Sequence, residues 1–297
     1  MIEIKNVTKK YGNYVAVEDI SFKVEESSIY GLVGYNGAGK TTLLKTAAGI
    51  LKPESGEVLF DSQNVYDNGK VRSSLLYVPD EVYFVKGASL QKMGKIYKGY
   101  FPNFNSKVFK NMTEAMGLDP KKNIGSFSKG MQRQAEVVLA MSTMPKYLIL
   151  DEPIDGLDPV ARKLVWKYII DDVAQRNLTV LISSHNLKEL EGIVDHVGIL
   201  YKGKIMKEFD LEYIQTHIHK IQVSFGDKEV HLDDLNIAYQ EERGSVKILI
   251  IEDSLSNIRK VIGDQSPLIF DILPLSLEEL FIYEVGGEDD DVQKLIF

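Results

Sequence analysis

Residues 29–50 read IYGLVGYNGAGKTTLLKTAAGI. A short apolar run from Ile29 to Gly34 feeds a glycine-rich turn, and a helix-forming stretch follows that stops ahead of Pro53. Gly34, Gly39, Lys40 and Thr41 fall at the spacing of a phosphate-binding loop, and Gly37 is a further glycine that lets the backbone curl and expose its N–H groups. In such a loop the lysine reaches the β and γ phosphates as a point charge, the hydroxyl faces Mg²⁺, and the helix adds its positive dipole end. Asn36, Gly37, Ala38, Gly39, Lys40, Thr41 and Thr42 are the expected nucleotide-binding residues of this loop, with Thr41 also a metal ligand.

A phosphate loop also needs an acid at the end of a neighbouring strand to hold the metal's water shell. YLILDEP (147–153) supplies Asp151 after four apolar residues, with Glu152 next as a candidate proton acceptor from an attacking water and Pro153 as the stop. LISSHN places His185 at the end of the next apolar strand. Continuous apolar runs on either side of the helical stretch PVARKLVWKYIIDDVAQR predict a parallel sheet buried on both faces. Upstream, MIEIKNVTKKYG, VAVEDISFKV and GEVLFDSQNV alternate apolar and polar residues, which predicts an antiparallel β layer. Residues from about 80 to 145 have a helical pattern, and HVGILYKGK reads as one more strand closing the unit near residue 210. In residues 211–297, KIQVSF, SVKILII and PLIFDIL read as strands, SLSNIRKVIG and LSLEELFIYEV as helices, and GGEDDDVQKLIF as an acidic tail that is solvated or disordered in part.

Bulk composition narrows the function. With 297 residues, 44% hydrophobic and 26% charged, the chain is of ordinary globular type. A net charge of −8 is the wrong sign for a broad nucleic-acid grip, so no nucleic-acid partner is expected. With no cysteine there are no disulfides or thiolate metal sites, and the five histidines show no ligand spacing. Apolar runs such as VVLAM are far shorter than a membrane span, and the first twenty residues lack a signal-peptide core. A cytoplasmic protein is expected.

A second segment, FSKGMQRQ (127–134), offers a serine and a glycine just ahead of a helix, a second arrangement able to hold phosphate. With this segment the order of motifs resembles the ATP-binding subunits of ABC transporters over roughly residues 1–210. The resemblance implies an α/β P-loop NTPase cassette. It comprises a RecA-like parallel sheet core, the N-terminal antiparallel β layer and a helical subdomain at about 80–145, followed by a small C-terminal α+β domain at 211–297. It also answers why there are two phosphate segments: in that family the signature segment closes over the nucleotide of a partner cassette, so two subunits sandwich two Mg-ATP. Tyr11 matches the aromatic that stacks on adenine, Ser128 and Gly130 the signature, Asp158 in DGLDP the D-loop, and His185 the switch histidine. Lys40, Glu152 and His185 are thereby the catalytic set, and Thr41, Asp80 and Asp151 the metal set. Asp158 followed by Pro159 is also a good helix cap.

Three positions, in two segments, depart from the family pattern. The signature has Lys129 for its first glycine and Met131 for its glutamine, and LLYVPDE (75–81) has Asp80 where the family has a glutamine near the metal. The wording PLSLEELFIYEVGG resembles the last helix of bacterial exporter ATPases, including those for antimicrobial or amphipathic peptides such as phenol-soluble modulins. The implied partners are a transmembrane permease, which holds the chain at the cytoplasmic face of the membrane, and a second ATP-binding subunit, identical or related. The competing class is a soluble ABC-type ATPase acting on ribosomes or DNA. The single cassette, the absence of a long coiled-coil insertion and the acidic balance disfavour it. The C-terminal domain is expected to serve dimer contact or regulation.

Overall fold

A computed structural model describes residues 1–66, 68–226 and 230–280. In chain order the elements are β1 (Ile2–Tyr11), β2 (Tyr14–Val24), β3 (Ile29–Val33), α1 (Lys40–Ala47), β4 (Ser55–Phe60), β5 (Gln63–Asn64), α2 (Gly69–Ser74) and β6 (Leu75–Val78). Then come α3 (Leu90–Tyr100), α4 (Ser106–Ala115), α5 (Lys129–Ser142), β7 (Tyr147–Asp151), α6 (Pro159–Arg176), β8 (Thr179–Ser184), β9 (His196–Tyr201) and β10 (Lys204–Asp210). The last are α7 (Leu211–His217), β11 (Ile218–Ser224), β12 (Ile237–Arg243), β13 (Val246–Glu252), α8 (Leu255–Asp264) and β14 (Ile269–Leu273). Among the described residues, Met1–His185 with Val197–Glu208 forms one compact unit, and Asn186–His196 with those between 209 and 280 forms another.

In the first unit a six-stranded sheet runs in the order β10-β9-β3-β8-β7-β6. β3, β7 and β8 are buried at every position, as their unbroken apolar sequences require. The pairs β3–β8, β8–β7 and β7–β6 are parallel, with Val33 opposite Ser184, Asp151 opposite Ser183 and Val78 opposite Leu150. Four strands therefore end side by side, and the residues after them, the glycine loop, His185, Glu152 and Asp80, leave from one sheet edge. A second sheet, β2-β1-β4-β5, is antiparallel. Its Ile2, Ile4, Ile20 and Phe60 share one core with Leu43 and Leu44 of α1 and Tyr30, Ile149 and Leu181 of the parallel sheet. Between β6 and β7 lie α3, α4 and α5, whose first turns are capped by Ser89, Asn105 and Ser128.

Two predicted strands are each two. GEVLFDSQNV breaks at Asp61 and Ser62, which take φ of 47° and 61° and reverse the chain between β4 and β5. HVGILYKGK breaks at Lys202 and Gly203, φ 47° and 79°, between β9 and β10.

In the second unit an antiparallel sheet, β12-β13-β11-β14, turns Ile221, Val223, Leu249 and Ile251 onto Ile258 and Ile262 of α8. β12 and α7 have no counterpart among the predicted elements. Helical backbone covers residues 277–280, and Glu279 of this turn pairs with Lys220 at 2.6 Å. The rest of the expected last helix and the acidic tail lie outside the described residues. No helix among the described residues is long and apolar enough to cross a membrane.

Ile149 is fully buried at the centre of β7. Ile149→Ala is expected to cost about 2–5 kcal/mol in denaturant unfolding, and a loss below about 1 kcal/mol contradicts the rigid two-faced burial of this strand.

Candidate functional site

The glycine loop owes its shape to positions where a side chain has no place. Gly39 caps α1 at φ 108°, in the left-handed region, and a Cβ there would stand 2.5 Å from the Ala16 carbonyl oxygen. It gives α1 no side-chain cap, so the first-turn N–H groups are left for an anion, unlike those of α5 and α6, which Ser128 and Asp158 cap. Lys40 is buried, and its Nζ donates to the Gly34 carbonyl at 2.5 Å and the Tyr35 carbonyl at 3.3 Å.

A cavity of about 300 Å³ opens above this loop. Of the expected residues, Tyr11, Asn36, Gly37, Gly39, Lys40, Thr41, Thr42, Asp80 and Glu152 all line it. Ala38 does not: it is 1% exposed, and its N–H is committed to the Tyr35 carbonyl at 3.1 Å, which tightens the turn from inside. Three lining residues escape sequence reading, among them Ala16 of β2. Tyr14 faces Tyr11 across the β1–β2 hairpin end, and Tyr35 lies within the loop itself.

Behind the cavity, Asp151 is fully buried. Ser183 donates to its Oδ1 at 2.7 Å and Tyr77 to its Oδ2 at 3.2 Å. The parallel register placing Asp151 beside Ser183 is the signal by which this serine was findable. Glu152 leaves the strand at φ 49°, and its N–H donates to the Ser183 hydroxyl at 3.1 Å. One carboxylate oxygen, Oε2, lies 2.9 Å from His185 Nδ1. The other, Oε1, lies 3.1 Å from Lys40 Nζ and is buried without an aligned hydrogen bond among the described residues.

Asp80 sits at the far wall, where burial pushes its carboxyl up and the Arg133 guanidinium opposes the shift, while Asp151, Glu152 and Asp155 add to it. Arg133 NH2 is 3.2 Å from Asp80 Oδ1. Burial of Tyr77, with Asp151 beside it, pushes that phenol up as well, so it remains a hydrogen-bond donor.

A model of the ABC transporter family matches residues 17–155. The chain is 29% identical to the ABC transporter ATP-binding protein YtrB of Bacillus subtilis, covering 97% of this chain and 99% of that protein. It is 30% identical to the bacitracin transport ATP-binding protein BcrA of Bacillus licheniformis, covering 97% and 98%. The chain belongs to the ABC transporter ATP-binding proteins. It is an ATP-binding subunit and an ATPase of that family. A solved ATP-binding subunit of an ABC transporter superposes with a TM-score of 0.66 at 24% identity over 72% of this chain and 92% of that one, which identifies the fold.

The FSKGM segment lies elsewhere. Ser128, Gly130 and Asp158 are not among the residues lining the nucleotide cavity. Ser128 accepts from the Met131 N–H at 3.2 Å, and Asp158 from the N–H groups of Val160 and Ala161, so both act as helix caps. A Cβ on Gly130 would stand 2.8 Å from the Gly156 carbonyl oxygen, whereas Lys129 is exposed beside a separate cavity. Close approach to the 152–158 loop therefore favours glycine at 130, whereas position 129 carries a lysine.

Gly39→Ala is expected to weaken binding of a fluorescent ATP analogue by about tenfold or more. Unchanged affinity would show that the loop tolerates a shifted Ala16 carbonyl and that its observed shape is not required.

Proposed function

We propose that the chain hydrolyses Mg-ATP with Glu152 as general base and, in a head-to-tail pair of ATP-binding subunits, drives a separate membrane permease that exports peptides or lipophilic toxic compounds. The observation that carries the chemistry is the position of Glu152, between Lys40 at 3.1 Å and His185 at 2.9 Å on the wall of the loop cavity.

On ATP binding, Lys40 exchanges its carbonyl and carboxylate contacts for β- and γ-phosphate oxygens, and the uncapped first turn of α1 donates N–H groups to the same phosphates. Tyr11 stacks on the adenine. Released from Lys40, Glu152 takes a proton from a water whose oxygen bonds to the γ-phosphorus as the bridging P–O bond breaks and ADP departs. His185, bound to the second oxygen of Glu152, keeps that carboxylate turned toward the water.

The donor set suits Mg²⁺: a threonine hydroxyl at 41 and a carboxylate at 80 line the cavity as hard oxygen donors, and the Asp151 carboxylate, held by Ser183 and Tyr77, stands behind them. Among the described residues no group of three or more His, Cys, Asp or Glu side chains is placed to hold a metal ion. When bound it neutralises charge on the transferring phosphoryl group.

Ser128, Gly130 and Asp158 act on the nucleotide of the facing subunit, a reading supported by their exclusion from the chain's own cavity. Peptide export is supported by BcrA, a bacitracin transport protein alignable with nearly the whole chain. The permease then holds the subunit at the cytoplasmic face of the membrane. Residues 1–210 are the motor, and residues 211–297 an accessory domain that stabilises or regulates the pair.

Glu152→Gln is expected to keep ATP affinity and lower kcat by about 10²–10⁴-fold in a phosphate-release assay. Normal hydrolysis would remove Glu152 from the role of base. Asp80→Ala is expected to reduce Mg²⁺-dependent turnover more than ATP binding, and equal turnover across a Mg²⁺ titration would refute a part for Asp80 at the metal.

A further inference from the structure

Arg133 has a place in neither the phosphate loop nor the acids of the site, yet its side chain is only 6% exposed and both its terminal nitrogens are engaged. It stands on α5, five residues after the Ser128 cap. NH1 donates to the Pro79 carbonyl at 2.6 Å and to Glu136 Oε2 at 2.9 Å. NH2 donates to the Asp80 carbonyl and, at 3.2 Å, to Asp80 Oδ1. Four acceptors are thus gathered by one planar group, three from the segment leaving β6 and one from the next turn of α5. Only a guanidinium has the forked donors for this; an ammonium on a lysine stem cannot reach both segments in one plane.

Glu136 is what fixes the fork. It is itself buried, and burial pushes its carboxyl up to about 7 while Arg133 holds it down, so each group justifies the other's place in the interior. Asp80, at the other end of the fork, lines both the nucleotide cavity and a second cavity of about 450 Å³ bordered by Lys129, Gln132, Arg133 and Gly156. The far wall of the nucleotide site and the first turns of the signature helix are therefore joined through a single side chain.

The geometry points to Arg133 as a positioning residue for ATP turnover: it ties Asp80 to α5, so that Asp80 stands at the nucleotide only when the signature helix is in place. This rests on the role given to Asp80 under the proposed function. The arrangement makes a chemical prediction different from simple structural support. Loss of the fork leaves the phosphate loop intact, so nucleotide affinity persists, while turnover falls and its dependence on Mg²⁺ changes as it does when Asp80 is lost.

The test is a double-mutant cycle on the full chain, with steady-state phosphate release over a Mg²⁺ titration, fluorescent ATP-analogue binding, and thermal unfolding as a check on folding. Arg133→Lys and Asp80→Asn are each expected to lower kcat by about tenfold or more, with KM for Mg-ATP changed by less than about threefold. The double variant is expected to be no slower than the worse single one, because both break the same link. If Arg133→Lys unfolds, Arg133→Gln combined with Glu136→Gln removes both buried charges together and is expected to give the same kinetic result. Unchanged kcat in the folded Arg133 variants alongside a slow Asp80→Asn overturns the positioning role and leaves the Asp80 reading standing. Multiplying effects in the double variant overturn the positioning role too. Normal turnover in Asp80→Asn refutes the Asp80 reading itself.

Discussion

Everything at the site follows from the parallel register of β3, β8, β7 and β6. Because Val33, Ser184, Asp151 and Val78 end their strands side by side, four short segments that are remote in sequence leave the sheet together. Each brings one chemical element: the lysine loop, His185, Glu152 and Asp80. A one-residue slip between β7 and β8 would turn Asp151 away from Ser183 and put the acids on the wrong face. Apolar burial on both sides of these strands is what forbids that slip, so the hydrophobic core sets the accuracy of the polar site.

The polar site is also arranged in depth. Asp151 is held by Ser183 and Tyr77 in the interior, while Glu152 takes a left-handed backbone step to the cavity wall, where one oxygen meets Lys40 and the other His185. One carboxylate is thus enclosed in the core and its neighbour faces the cavity. Adjacent acids with the same intrinsic chemistry are given different surroundings by the hydrogen bonds around them.

Much of this was legible in the sequence because the signals are local. The loop glycines, the two apolar strands and the Asp158–Pro159 cap each have short-range causes, and the nine expected residues from Tyr11 to Glu152 that line the cavity are found at motif positions. Features missed were those set by distant partners or by edge placement. IAYQEER forms β12 although it lacks an apolar alternation, because an edge strand with one partner buries little. The breaks after Phe60 and Tyr201 depend on left-handed residues, only one of which, Gly203, is a glycine. Arg133 reads as one more polar helix residue until Pro79 and Asp80, more than fifty positions earlier, are seen folded against it. Ala38 matched the motif by position, but its N–H turns inward to Tyr35.

The central claim is that one chain's signature segment completes the other's nucleotide cavity, and the absence of any native cysteine makes it directly measurable. Chains carrying Asn36→Cys and chains carrying Ser128→Cys, mixed and oxidised, are expected to form a covalent pair when Mg-ATP is added, with little without nucleotide and none from either variant alone. No covalent pair at saturating Mg-ATP, in variants that each still bind the nucleotide, would contradict the account.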